Sequence, residues 1–287
     1  MNTKQAITNP YMPPKRPVLL AGHGGLPKLV MTAADGARAE IYLQGAQLAS
    51  WIPASGSEWL FLNEAELASS GLPLIFPQAG PDNLAGTFDW NLIRVEQDKD
   101  QVRVCLQLAD SRASRRLWRH RFLLELEVTV GSARLELRWS IKNSGQKPLR
   151  FSAALRQYLR LAAGLGDARL LGLEQQSYRD PRRDESGTNA VTLNPNEGCD
   201  RYYPNAAMPL LLHDGRRTLR IHRDGLPAVG LWLPGQDEGA PLAAGQQAAF
   251  LRLEATTGEQ PLKLQPSETW NGGLVFAAAD RQPVPAV

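Results

Sequence analysis

Stretches of this chain alternate apolar and polar residues with a period of two, and nothing else constrains its fold as strongly. Val102, Val104, Leu106 and Leu108 are interleaved with Arg103, Cys105 and Gln107. Phe122, Leu124, Leu126, Val128 and Val130 form a second set, with Glu125, Glu127 and Thr129 between them. Leu135, Leu137, Trp139 and Ile141 repeat the pattern against Arg134, Glu136, Arg138 and Ser140. Successive side chains on a strand point to opposite faces, so each stretch predicts a strand with one face on a core and the other in water. Antiparallel sheets show this alternation, whereas parallel sheets, buried on both faces, read as continuous apolar runs.

Turn chemistry separates the runs: Gly131-Ser132, Asn143-Ser144-Gly145, Asp214-Gly215 and Asp224-Gly225. Helical signals are thin. Glu64–Ser70 and Asp110–Leu117 each predict a turn or two of helix, the second capped by Asp110 or Ser111. Many short strands with few helices imply an all-β sandwich or barrel, mostly antiparallel. Residues 1–28, polar and proline-bearing at their start, predict a tail or surface strap, and 29–287 a single domain, since no composition break or repeat period divides it.

The chain is 287 residues long and 43% hydrophobic, enough for a substantial core. Its net charge of +3, spread over interleaved acids and bases, points to neither nucleic acid nor a membrane surface. Cys105 and Cys199 are too few and too far apart for a disulfide framework. The opening MNTKQAITNPYMPPKRP has no apolar core of a secretory signal, and no apolar run matches the thickness of a bilayer. A soluble, reducing, cytoplasmic setting is the expectation.

Few residues advertise chemistry by themselves. His23, His120, His213 and His222 lack partners at a metal-ligand spacing, so no metal is expected. His213-Asp214 has the look of a hydrolase fragment, yet it stands at an Asp-Gly turn, and adjacent strand side chains diverge, which favours a turn role. Gly22-His23-Gly24-Gly25 neither follows a convincing strand nor opens a helix, so it does not predict a nucleotide loop. Arg112, Arg115, Arg116, Arg119 and Arg121 surround Trp118, but Glu125 and Glu127 follow, and a solvated face is the expectation. Trp139 is in phase with the core, while Trp59, Trp90 and Trp232 remain candidates for stacking on a pyranose.

Taken together and in order, several segments resemble the glucose-6-phosphate 1-epimerase (hexose-6-phosphate mutarotase) family of the galactose-mutarotase-like superfamily. Gly45-Ala-Gln-Leu-Ala-Ser-Trp51 is similar to its GA-x-x-x-SW strand, and Gly71-Leu-Pro-Leu-Ile-Phe-Pro-Gln-Ala-Gly80 to its GGIP-x-x-FP-x-FG loop. Leu117–Phe122 resembles LWPH-x-F, Phe151–Tyr158 resembles F-x-x-ALH-x-Y, and Gly172–Asp180 resembles GL-x-x-x-x-Y-x-D. Asp200–Tyr203 looks like DR-x-Y, and Leu253-Glu254-Ala255 with Leu264–Trp270 looks like VEAA and L-x-PGESW. The resemblance implies a β-supersandwich with an open cleft, and a reaction that interconverts the anomers of a hexose 6-phosphate without a cofactor. In that reaction a histidine acts at the ring oxygen and a glutamate takes the O1 proton, so the two groups must hold opposite protonation states.

The resemblance places the glutamate base at Glu254 and the substrate-binding groups at Asp200 and Gln78. The ring-oxygen histidine is replaced by Arg156, whose guanidinium stays protonated and cannot shuttle a proton. The PQHG-x-AR loop corresponds to Asn83–Trp90, where Leu84 and Ala85 replace the glutamine and the second histidine and the arginine has no counterpart. Ser69-Ser70 replaces the arginine before GGIP. The expectation is therefore a carbohydrate-binding protein with weak or lost mutarotation. Its partner is a small sugar or sugar phosphate, with no nucleic acid and no membrane, and the oligomeric state is left open. The alternatives are a working epimerase with a rebuilt acid, for which Tyr158 or His222 are candidates, and a non-catalytic interaction or regulatory protein. Arg156 itself suggests an anion clamp, or a plain salt bridge to Glu254.

Overall fold

The computed structural model describes residues 17–280 apart from 55, 64–65, 189–197 and 235–248. The expected N-terminal tail up to residue 16, and the first residues of the expected Glu64–Ser70 helix, lie outside that range. Four sheets carry the described chain. The first is a meander of β1 (Val18–Ala21), β2 (Pro27–Thr32), β3 (Arg38–Tyr42) and β4 (Gln47–Ile52). There follow β5 (Leu74–Ile75), β6 (Asn91–Gln97), β7 (Val102–Ala109), β8 (Phe122–Gly131), β9 (Arg134–Asn143), β10 (Leu149–Phe151) and β11 (Ala154–Arg160). The chain continues through β12 (Arg169–Leu171), β13 (Ser177–Asp180), β14 (Glu185–Thr188), β15 (Cys199–Tyr203), β16 (Leu210–His213) and β17 (Arg217–Asp224). It closes with β18 (Ala228–Leu233), β19 (Phe250–Thr256), β20 (Leu262–Leu264) and β21 (Thr269–Asp280).

An eight-stranded sheet has the order β12-β16-β17-β21-β9-β8-β7-β6, a seven-stranded sheet the order β14-β13-β15-β18-β19-β11-β5, and β10 pairs with β20. Every strand pairing among the described residues is antiparallel. The all-β, mostly antiparallel architecture read from the alternation is the one observed. The three alternating stretches are β7, β8 and β9, side by side, with Leu126 opposite Trp139 and Val128 opposite both Val104 and Leu137. Their apolar sets are buried, as are Leu155, Leu159, Leu251, Leu253, Val229 and Leu231 on the seven-stranded sheet, and all join one contiguous hydrophobic cluster. Each such side chain removed from water stabilises the fold by roughly 1.5–3 kcal/mol against leaving it exposed.

The segment expected to be a strap from 1 to 28 contributes the edge strand β1 and the start of β2. Its side chains are mostly exposed, so no alternation was available to announce it. The helical expectations shrink to one turn each. Leu67–Ser69 is a single 3-10 turn, and Ser114–Leu117 is a four-residue α-helix. Ser111 does serve this second turn: its Oγ accepts from Ser114 N–H while the Ser114 hydroxyl oxygen accepts from Ser111 N–H.

The His213-Asp214 pair is structural, as the turn chemistry suggested. Asp214 is fully buried and accepts from the backbone N–H groups of Ala162, Arg216 and Arg217. Its Oδ2 also takes the Arg217 Nε–H at 2.7 Å. The Arg217 guanidinium lies 3.7 Å from the Trp59 ring centre and donates to the carbonyls of Ser57, Glu58 and Arg160, tying the two large sheets together. No described helix is long and apolar enough to cross a membrane.

Candidate functional site

Register on the seven-stranded sheet assembles residues that are remote in sequence. β11 pairs with β19 so that Arg156 stands opposite Glu254, and Tyr158 opposite Arg252. β18 continues both rows, with Gly230 beside Glu254 and Trp232 beside Arg252. β15 then adds Tyr202 beside Gly230 and Asp200 beside Trp232, and β13 adds Arg179 beside Tyr202. Directly opposed residues share a face, so these form two adjacent rows on the side of the sheet away from the core. One reads Arg156, Glu254, Gly230, Tyr202, Arg179 and the other Tyr158, Arg252, Trp232, Asp200.

Arg156 and Glu254 form a direct ion pair there, and Arg179 at the far end of the row pairs with Glu259. Arg156 Nε–H donates to Glu254 Oε2 at 2.6 Å, and each side chain retains 26% of its exposure. Burial would lower the Arg156 pKa, but the Glu254 carboxylate and a hydrogen bond with Tyr158 outweigh it and push the guanidinium above its ordinary value. Its proton is thereby held still more firmly than in free arginine. Arg252 approaches Asp200 at 3.8 Å and lies 4.9 Å from the centre of the Trp232 ring. Burial raises the Asp200 pKa; Arg252 and Arg182 pull it down, while Asp180 and Glu254 push it up. Asp200 on β15 and Glu254 on β19 face the same side of the sheet, with β18 between them.

Asp180 explains why the Gly172–Asp180 motif belongs to this site. Its buried carboxylate accepts from Asp200 N–H at 3.1 Å and from Arg182 N–H at 3.0 Å, fixing the start of β15. Gly230 opens the floor between Glu254 and Tyr202, because it places no side chain in the row. Phe61, Tyr158 and Phe250 form a small apolar cluster at one end, with Trp232 packed against it. Trp232 is thus the one open tryptophan candidate on this face, since Trp59 and Trp90 are buried in the core.

Other sequence candidates lie elsewhere. Gln78 Nε2–H donates to Asp82 Oδ2 at 2.8 Å and lines a separate recess with Trp118, Arg150 and Ser152; no described contact brings it to Glu254. Leu84 and Ala85 are buried in a one-turn α-helix, Leu84–Thr87, that Asn83 caps through Gly86 N–H. They present no polar group where the family pattern has glutamine and histidine. Ser70 is buried and exchanges hydrogen bonds with Asn63. His222 stands opposite Val275 on the eight-stranded sheet and lines a hollow on that sheet's outer face with Glu136 and Asp224, so it does not join the Arg156 row. Among the described residues no three His, Cys, Asp or Glu side chains gather as metal ligands.

The sequence reading overlooked Arg252, Tyr202 and Gly230. Arg252 was within reach of it: Leu251, Leu253 and Ala255 alternate with Arg252 and Glu254, so a reader who placed Glu254 on the open face had placed Arg252 there too. Chemically, the face offers fixed cations, carboxylates that accept hydrogen bonds, and one aromatic plane. It suits polar, hydroxyl-rich or anionic ligands. The arginine at position 156 cannot give up and retake a proton near neutral pH.

The aldose 1-epimerase family model matches residues 27–277. A protein of Cenchrus ciliaris named "Putative glucose-6-phosphate 1-epimerase" is 26% identical over 289 residues, covering 88% of this chain and 85% of its own length. Among solved structures, the YeaD protein of Salmonella typhimurium superposes with a TM-score of 0.77 at 21% identity, covering 89% of this chain and 91% of that one. A galactose mutarotase-like protein of Clostridium acetobutylicum gives 0.76 at 12% identity, with 92% and 98% covered. The fold is the galactose-mutarotase-like one, and with a family model matching along nearly its whole described length, the chain belongs to the aldose 1-epimerase family.

Proposed function

We propose that this protein is a carbohydrate-binding member of its family, of the hexose-6-phosphate mutarotase type, in which anomer interconversion is weak or lost. The observation that carries this reading is the Arg156–Glu254 pair at 2.6 Å. Arg156 occupies the place where the resemblance puts the ring-oxygen acid, and it cannot cycle a proton. The burial of Leu84 and Ala85 removes a second source of polar groups from the site. Loss of a general acid alone costs a factor of about 10² to 10⁴ in rate. Asp200, Arg252 and Trp232 would remain to hold a sugar ring, within a single domain and in a cytoplasmic setting.

The test is two-dimensional NMR exchange between the α and β anomers of glucose 6-phosphate in the presence of the purified chain. Exchange close to the buffer rate is expected, together with line broadening that reports binding. Turnover of about 10 s⁻¹ or faster, as for an ordinary enzyme, would sink the proposal and favour a working epimerase with a rebuilt acid. Tyr158 is the candidate for that acid, because it lies two residues from Arg156 on β11 and shares its face. If neither exchange nor binding is detected with any hexose or hexose phosphate, the interaction-protein reading takes its place.

A further inference from the structure

The arginine-rich segment around Trp118 has a structural consequence outside the Arg156 face. β8 and β9 are antiparallel, with Phe122 opposite Asn143, so the residues entering β8 meet the turn leaving β9. Arg119, His120, Arg121, Ser144, Gly145, Gln146 and Lys147 line a recess of about 350 Å³ there. No carboxylate lines it. Among the described residues Arg119, Arg121 and Lys147 have no ion-pair partner, whereas Arg115 nearby is bonded to Asp110. Glu125 and Glu127, which follow in sequence, do not compensate the recess: they engage Gln107 and Arg94 on the outer face of the eight-stranded sheet. The His120 imidazole is seated 4.5 Å from the Trp118 ring. Burial, and then repulsion from Lys147, lower its pKa, an electrostatic sign of the uncompensated positive charge.

We propose that this recess binds a phosphate-ester dianion of a small phosphorylated metabolite, at a site separate from the Arg156–Glu254 face. Two guanidinium forks and an ammonium suit the tetrahedral oxygens of a phosphate, and the Ser144 hydroxyl at the turn adds a neutral donor. Like cations gathered without counter-charge raise the local concentration of anions, and a dianion relieves their mutual repulsion. None of the lining residues belongs to the seven-stranded sheet, so occupancy here is independent of the proposed sugar face.

The full chain is titrated with inorganic phosphate while the His120 imidazole is followed by NMR, with sodium chloride at equal ionic strength as the reference. A bound dianion stabilises the imidazolium, so the His120 pKa is expected to rise by roughly half a unit to one unit beyond the chloride reference. His222, on the outer face of the eight-stranded sheet, is expected not to respond. Combining Arg121→Gln with Lys147→Gln should weaken the phosphate effect roughly tenfold, with circular dichroism confirming an unchanged fold. The proposal is overturned if chloride reproduces the whole shift, since that is screening alone. It is equally overturned if the double variant responds like the parent, or if a single-stranded oligonucleotide moves His120 and phosphate does not.

Discussion

Arg156 and Glu254, separated by 98 positions in the chain, meet as cross-strand partners with 2.6 Å between Nε and Oε2. The pair sits in the intermediate regime of burial. A fully exposed ion pair contributes about 0–1 kcal/mol, while breaking a fully buried one costs about 3–5 kcal/mol. Arg156→Ala leaves a half-buried carboxylate without its cation, so a loss of roughly 1–3 kcal/mol is expected in urea unfolding. Unchanged stability would mean that solvent takes over the role of the guanidinium.

Arg156→His tests chemistry rather than stability. It restores a group that titrates near neutrality beside Glu254, the pairing that acid–base catalysis at the ring requires. The expected outcome is an exchange rate for glucose 6-phosphate above that of the parent, but short of an efficient enzyme, because Leu84 and Ala85 stay in the core. NMR exchange on parent and variant side by side checks it. No gain at all would place the acid elsewhere.

The sheets were legible because β7, β8 and β9 each keep one wet face, and the period of two survives wherever water touches one side. β1 was not, since both its faces are largely exposed and Val18–Ala21 shows no contrast. Trp59 and Trp90 sit in connecting segments outside the alternating runs, although both are buried in the core, so periodicity said nothing of them. The site was legible only through the ordered family-like motifs. Local patterning shows that Arg156 and Glu254 are each out of phase with their apolar neighbours. It does not show that β11 and β19 are adjacent, because register is decided by packing over the whole sheet. Gln78 illustrates the limit: a polar residue in a matching loop, turned toward Asp82.

Asp214 predicts an acid-labile component of stability. Burial alone would raise its pKa, but Arg217 and the backbone N–H groups of Ala162 and Arg217 outweigh burial and hold it below its ordinary value of 3.8. With the folded pKa depressed, the stabilisation is fully present above the unfolded value and is lost as pH falls through the folded one. Asp214→Asn should cost about 3 kcal/mol at neutral pH. The gap to the parent should close as unfolding is measured at pH values below about 4. A pH-independent gap would assign the cost to geometry instead of charge.

Arg223 predicts the opposite sign. It is buried on β17, donates only to the carbonyls of Ala206 and Ala207, and has no partner for Nε or the other terminal nitrogen among the described residues. Burial pushes its pKa down to about 10. A cation whose folded pKa is depressed costs stability at every pH below that value, and the cost is relieved only above it. Arg223→Met keeps an unbranched chain in the space and removes the buried charge. Replacing buried ionic groups by apolar ones often gains about 1–4 kcal/mol. The freed carbonyls offset part of that, so a gain of about 1 kcal/mol in thermal unfolding is expected near neutral pH. A lower melting temperature would show that holding the 206–207 segment matters more than the charge.

Gly230 separates the fold from the site. A methyl group at this position would meet only Glu254 Cβ, at 3.5 Å, an ordinary contact. Alanine also restricts the unfolded chain more than glycine does, and at an unstrained position this gains about 0.4–1 kcal/mol. Gly230→Ala is therefore expected to leave the melting temperature unchanged or slightly raised. The same methyl stands in the row between Glu254 and Tyr202, on the open floor that the proposed function assigns to a sugar ring. Binding of glucose 6-phosphate, followed by saturation-transfer NMR, should weaken while stability holds. If the variant binds as well as the parent, the ligand does not cross this floor. If it binds less and also melts earlier, the methyl disturbs the sheet and the result speaks to packing alone. Only weakened binding at undiminished stability places a sugar above Gly230, with Glu254 and Asp200 on either side of it.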